Sequence, residues 1–140
     1  MKRMYKLVLV VLFTTAAFSV SKAEDKDSIR RESAAKTAYT MCLPSLKSDI
    51  QGIVESTIYN VVLVKKYYPT ANFKAIINKL NDIAIENADP SIRFKAHLAS
   101  IYLSFSEMID VQPVFNTFDR EYIFRQIADQ LESKLLATKN

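Results

Sequence analysis

The chain holds one thiol and one imidazole, Cys42 and His97. A thiolate nucleophile needs a base within hydrogen-bond reach and usually an acid to orient that base. These two residues lie 55 positions apart and neither sits in a recognisable catalytic motif. Cys42, in TMCLP between Met41 and Leu43, reads as a buried, inert thiol, with pairing between chains as the alternative. A zinc site built on one Cys and one His would need carboxylates for its other ligands, and none are spaced as a ligand set. Asp82 and Glu86 are four apart on one predicted helix, but on its solvent side. Acid–base cleavage of a glycoside needs two acids facing each other across a cleft. Gly52 is the only glycine, so loops of the GxGxxG or GxxxxGKS kind, which cradle phosphate, cannot be written. The expectation is a protein without catalytic, metal-binding or cofactor-binding residues.

Two clusters suit contact with a partner instead. Lys65, Lys66, Tyr67 and Tyr68 combine cations with amphipathic rings, a composition found at interfaces and fit for an anionic glycan, a lipid headgroup or a protein. The competing reading is structural: cations at a helix C-terminus complement its dipole, and Tyr68 continues a core stripe. Phe118 and Tyr122, in PVFNTFDREYIF, lie beyond the core face of the last helix. They either pack the loop before it or meet a partner.

The first 23 residues have the layout of a secretory signal peptide. MKRMYK is basic, Leu7 to Phe13 is an almost unbroken apolar run, and Ser21-Lys22-Ala23 offers small residues at a cleavage site before EDKD. The run is too short for the roughly 20 residues that span a bilayer. An exported protein, periplasmic or secreted, with no transmembrane segment after cleavage, is therefore expected. The segment also carries four of the 19 cations (Lys2, Arg3, Lys6 and Lys22) and no acid, so 15 basic residues balance 15 acidic ones from Glu24 onward. That balance leaves no basic footprint for nucleic acid.

The remaining chain is of single-domain length, and its periodicity is helical. Residues 24–44 read as an N-terminal arm or short helix, and 45–140 as the helical domain. Ile50, Ile53, Val54, Thr57, Val61, Val64 and Tyr68 share one face, widened by Ile58 and Val62, with Ser45 or Ser48 as cap and Pro69 as stop. Phe73, Ile76, Ile77, Leu80, Ile83 and Ala84 make the stripe of a second helix, with Thr70 as its cap. Asp89-Pro90 starts a third, over 90–106, with two opposed apolar faces: Ile92, Ala96, Ala99 and Leu103, and Phe94, Leu98, Ile101 and Phe105. A helix apolar on two sides is expected to be packed on both, which makes this one the centre of the domain. Arg93 and His97 sit one turn apart on a seam between these faces and read as structural, so His97→Ala is expected to affect stability more than activity. A last helix, capped by Thr117, carries Ile123, Phe124, Ile127, Ala128, Leu131 and Leu135 on one face, with Gln126 and Gln130 turned away.

The fold class that follows is all-α, a compact bundle or short helical-hairpin array of four to five antiparallel helices. DPSIRFKAHLA, residues 89–99, resembles the opening of a HEAT-type repeat helix over eleven residues, and the pattern does not recur. The resemblance implies a helical-hairpin scaffold that acts by interaction, with Arg93 supporting the packing. Two functions fit: an accessory module for an envelope or extracellular protein, or a carrier of an apolar ligand held by Phe94, Leu98, Ile101, Tyr102 and Phe105.

Overall fold

The computed structural model describes residues 25–113 and 119–138. The expected signal peptide, Thr117 and Phe118 lie outside the described residues. The chain divides into two compact units at Ala34 and Ala35. In the first, the described residues 25–34 are helical and exposed. The second holds the core. It contains residues 35–46 of α1, which is helical over 25–46, followed by α2 (Gln51–Tyr67), α3 (Lys74–Glu86), α4 (Pro90–Ser104) and α5 (Glu121–Ala137). The fold is all-α, and no strand occurs among the described residues.

Helix α4 is the central element and packs against α2, α3 and α5. Its start follows from Asp89-Pro90. The Asp89 carboxylate accepts the Ser91 N–H at 2.7 Å, and Pro90 occupies the first turn, where its missing N–H costs nothing. Ala96 and Ala99 are wholly buried on the inner face, and their small side chains let neighbouring helices approach closely. Ile92 and Leu103 complete that face, against a core that includes Ile58, Val61 and Val62 of α2 and Leu80 of α3. Ser100 donates to Asn81 at 2.6 Å and ties α4 to α3.

The other helix starts differ from the sequence expectation. Helix α2 begins after Ile50, with Ser48 accepting the Ile50 N–H, and helix α3 begins after Phe73, with Asn72 accepting the Lys74 N–H. Thr70 is therefore not a cap. Ile50 and Ile53, placed by period on the core face of α2, are exposed, whereas Val54 beside them is buried. The α3 stripe is as expected, with Phe73, Ile76, Leu80 and Ile83 buried. At the α2–α3 turn, Tyr39 packs edge-on against Tyr68 and Phe73 and donates its hydroxyl to the Asn72 carbonyl at 2.5 Å.

The chain leaves α4 and returns along α5 as an extended strap, residues 109–113. Its side chains alternate, Ile109 and Val111 buried and Asp110 and Gln112 exposed, and the backbone of Asp110 and Gln112 bonds to α5. There Gln130 accepts the Asp110 N–H and donates to the Asp110 carbonyl, and Gln126 does the same for Gln112. Two carboxamides one helical turn apart thus replace the neighbouring strand that this backbone lacks. Lys66 holds the strap from the other side, bonded to the Val111 carbonyl and 3.5 Å from Asp110. Because the strap runs back along the bundle, α4 and α5 begin at the same end.

That shared end is fixed by a buried cation. Lys95, its side chain 7% exposed, lies 2.6 Å from Glu55 on α2 and 2.5 Å from Glu121 at the start of α5. Beside it Arg120 donates to Ser56 and stacks over Tyr59. Burial opposes the Lys95 charge, but the hydrogen bonds and charges of Glu121 and Glu55 outweigh it and hold the ammonium above its ordinary range. Burial likewise raises Cys42 to about 11, and burial with the charge of Asp110 raises Tyr102 to about 12. All three groups keep their protons more tightly in the folded chain than in the unfolded one. The stability they contribute is complete below the unfolded values, the lowest being 9.0 for the thiol, and is lost as pH rises through the folded ones. Thermal melting followed by circular dichroism is expected to fall steadily between about pH 9 and pH 12; a flat profile there would contradict the burial of these groups.

Candidate functional site

Each polar cluster singled out in the sequence has a place in the fold. Lys65 curls back to donate to the Pro69 carbonyl at 3.2 Å and lies over the Phe73 ring. Lys66 binds the strap. Tyr68 is half-buried in the aromatic cluster at the α2–α3 turn, and Tyr67 is half-buried too. The two cations thus bond backbone carbonyls, Lys65 a local one and Lys66 one on the strap, and do not form an open basic patch. Tyr122 is exposed and carries Arg125 over its ring. Cys42 is buried, and its thiol donates to the Ala38 carbonyl at 3.4 Å. Among the described residues, no three His, Cys, Asp or Glu side chains are grouped to hold a metal ion, and no helix is long and apolar enough to cross a membrane.

Arg93 and His97 separate. Arg93 donates to the carbonyls of Asn87 and Ala88 at 2.8 and 3.2 Å, closing the C-terminal end of α3 onto the start of α4. Its role is structural. His97 is exposed and has no hydrogen bond or ion pair among the described residues, so the reading of it as a structural side chain is corrected. Its seam faces a groove.

That groove is lined mostly by apolar side chains. It runs between α4 and α5, with a volume of about 650 Å³. One wall is Phe94, His97, Leu98 and Ile101, and the other is Ala128, Leu131, Glu132, Leu135 and Leu136. The two-sided apolar pattern of α4 predicts packing on both faces, and the structure corrects this for the outer one. Only Leu98 of that face is buried, and Phe94 and Phe105 are each 56% exposed. The cause lies in α5, which is anchored by Glu121 and the strap at its first half while its last turns stand clear. Leu135 is 66% and Leu136 58% exposed.

A second concavity of about 300 Å³ lies between the α1–α2 loop and the end of α3. Lys47, Asp49, Lys79, Asp82 and Glu86 surround it. Hydrated charges are stable as they stand, and Asp82 and Glu86 are exposed, as the helical period implies. Contiguous apolar surface is different, since leaving it in water is unfavourable by about 25 cal/mol per Å². Of these two concavities, the groove is therefore the one that gains more from being covered.

The sequence names one wall of it, Phe94, Leu98 and Ile101, as a ligand face. Tyr102, expected to hold the same ligand, is buried in the core, and Phe105 lies outside the lining. On the opposite wall, Ala128, Leu131 and Leu135 belong to the apolar face that the sequence assigns to the last helix, but their place beside a ligand face and the part of Leu136 are missed. No family model matches the chain, and neither a curated protein nor a solved structure is found to be similar to it.

Proposed function

We propose that this is an exported, non-catalytic helical interaction module that works through the α4–α5 groove. The observation carrying the reading is the open apolar trough itself, walled by Phe94, Leu98 and Ile101 on α4 and Leu131, Leu135 and Leu136 on α5. Open grooves between helices accept the apolar face of an amphipathic helix. The basic, apolar, small-residue order of residues 1–23 supports export. The test is affinity capture of tagged protein from the cells that make it, comparing the unaltered chain with Leu135→Asp/Leu136→Asp. A partner recovered with the first and lost with the second, at equal melting temperature, is the expected result. Equal recovery with both would place the interaction elsewhere.

The second reading is a carrier of a small apolar ligand, favoured by a groove volume inside the roughly 300–1,000 Å³ of ligand sites. Such sites bury most of their ligand, whereas Phe94, Leu135 and Leu136 stand half open. Native mass spectrometry separates the two, because a carrier retains an added mass of small-molecule size.

A further inference from the structure

We propose that the start of α5 is an acid-sensitive latch. When Glu55 and Glu121 take up protons, the Lys95 ammonium loses its counter-charges. Helix α5 and the strap before it then come away from α4, while α2, α3 and α4 stay packed. The ion pairs are concentrated at this helix. Lys95 on α4 is 2.5 Å from Glu121, the first residue of α5, and 2.6 Å from Glu55 on α2. Lys66 of α2 pairs with Asp110 of the strap, and Arg125 of α5 pairs with Asp119 just before the helix. Apart from Lys95–Glu55, each of these pairs involves α5 or the chain leading into it. No ion pair between described residues joins α3 to α2 or α4. Apolar side chains and the neutral Ser100–Asn81 hydrogen bond hold α3 in place, and acid alters neither.

Protons reach the acids of this cluster while its cation stays enclosed. The Lys95 side chain is 7% exposed, whereas those of Glu55 and Glu121 are about half exposed. Arg120 beside them donates to Ser56 and lies over Tyr59; being a cation, it offers Lys95 no counter-charge. At the strap, Asp110 meets Lys66 from α2 and acts on Tyr102 from α4, while the α5 groups there, Gln126 and Gln130, do not titrate. Protonation removes the opposing charges and leaves a buried ammonium unpaired, which is strongly unfavourable. Moving α5 aside lets water take the place of Glu121 beside it. The cost is the exposure of Ile123, Phe124 and Ile127, the residues that α5 buries. The last turns add little to that cost, since Leu135 and Leu136 are already open. A paired carboxylate adds stability above its ordinary range, near about pH 4, and loses it as pH falls below. Asp119, held below that range by its hydrogen bond from Arg125, acts in this sense. Release of α5 also takes away one wall of the groove; that consequence rests on the reading of the groove as the binding surface, and the latch does not.

Amide hydrogen exchange of the protein as its cells process it, resolved by residue with NMR between about pH 7 and about pH 3, tests the latch. Protection is the exchange rate of an unfolded chain at the same pH divided by the rate observed. The α5 amides are expected to lose on the order of 100-fold in protection across that range. In acid they are expected to lie at least about tenfold below the amides of α3 and α4. Lys95→Met leaves no buried charge and is expected to cut the α5 loss to less than about tenfold, the remainder belonging to the exposed Asp110 and Asp119 pairs. Glu55→Gln/Glu121→Gln is expected to show the low α5 protection already at neutral pH. Equal protection of α5 and α3 in acid would make the bundle one cooperative unit and overturn the latch. So would α5 protection that acid leaves unchanged, or a Lys95→Met chain as acid-sensitive as the unaltered one. The groove reading fails separately, because partner capture at neutral pH tests it with the latch closed.

Discussion

Replacing both Glu55 and Glu121 by glutamine is expected to lower the unfolding free energy by on the order of 3 kcal/mol. The two carboxylates are about half exposed and would be hydrated in isolation, so the cost does not arise at them. It arises at Lys95, whose ammonium is left in the core with no opposing charge. Either single substitution leaves one carboxylate in contact and should cost only about 1 kcal/mol. The double variant therefore exceeds the sum of the singles, the signature of groups acting on one centre. Lys95→Met reverses the logic. It removes the buried charge, keeps a side chain of similar reach, and returns two half-exposed carboxylates to water. Its expected effect is near zero or slightly stabilising. Urea unfolding monitored by circular dichroism measures all four variants. If Lys95→Met cost as much as the double glutamine variant, the stabilisation would lie in the bridge itself and not in avoiding an unpaired charge.

How these features could be read from the sequence depends on how far their partners lie along the chain. The α3 stripe and the Asp89-Pro90 start are local: helical period and capping chemistry operate within a few residues, and both are found as expected. Lys95 is the opposite case. Its period places it on a polar seam of α4, but its partners are 40 residues before it and 26 after it, on two other helices. Gln126 and Gln130 are correctly turned from the core face, and nothing in their spacing reveals that an extended strap lies across them. Periodicity states which faces of a helix are apolar, and only tertiary structure states which are covered. The outer face of α4 shows the difference, since Phe94 and Phe105 repeat like core residues and remain open. The structural role that the sequence suggests for His97 fails for the same reason.

The two faces of α4 can be told apart by a pair of truncations. Leu103 is 4% exposed on the inner face, and Leu103→Ala removes apolar contacts that neighbouring helices cannot close over. The expected loss is about 2–5 kcal/mol, through both the buried surface and the cavity left behind. Phe94 is the larger residue and loses more atoms on truncation, yet at 56% exposure it has little surface withdrawn from water. Phe94→Ala is expected to change stability by less than about 1 kcal/mol. The smaller residue thus gives the larger effect, an ordering that hydrophobicity and residue volume alone would invert. Equilibrium unfolding of the two variants under the same conditions decides it. A loss of several kcal/mol for Phe94→Ala would mean that α5 closes over α4 in solution, leaving no open groove for a partner. A small loss leaves the outer face of α4 free, with Phe94 in contact with water and open to a second helix.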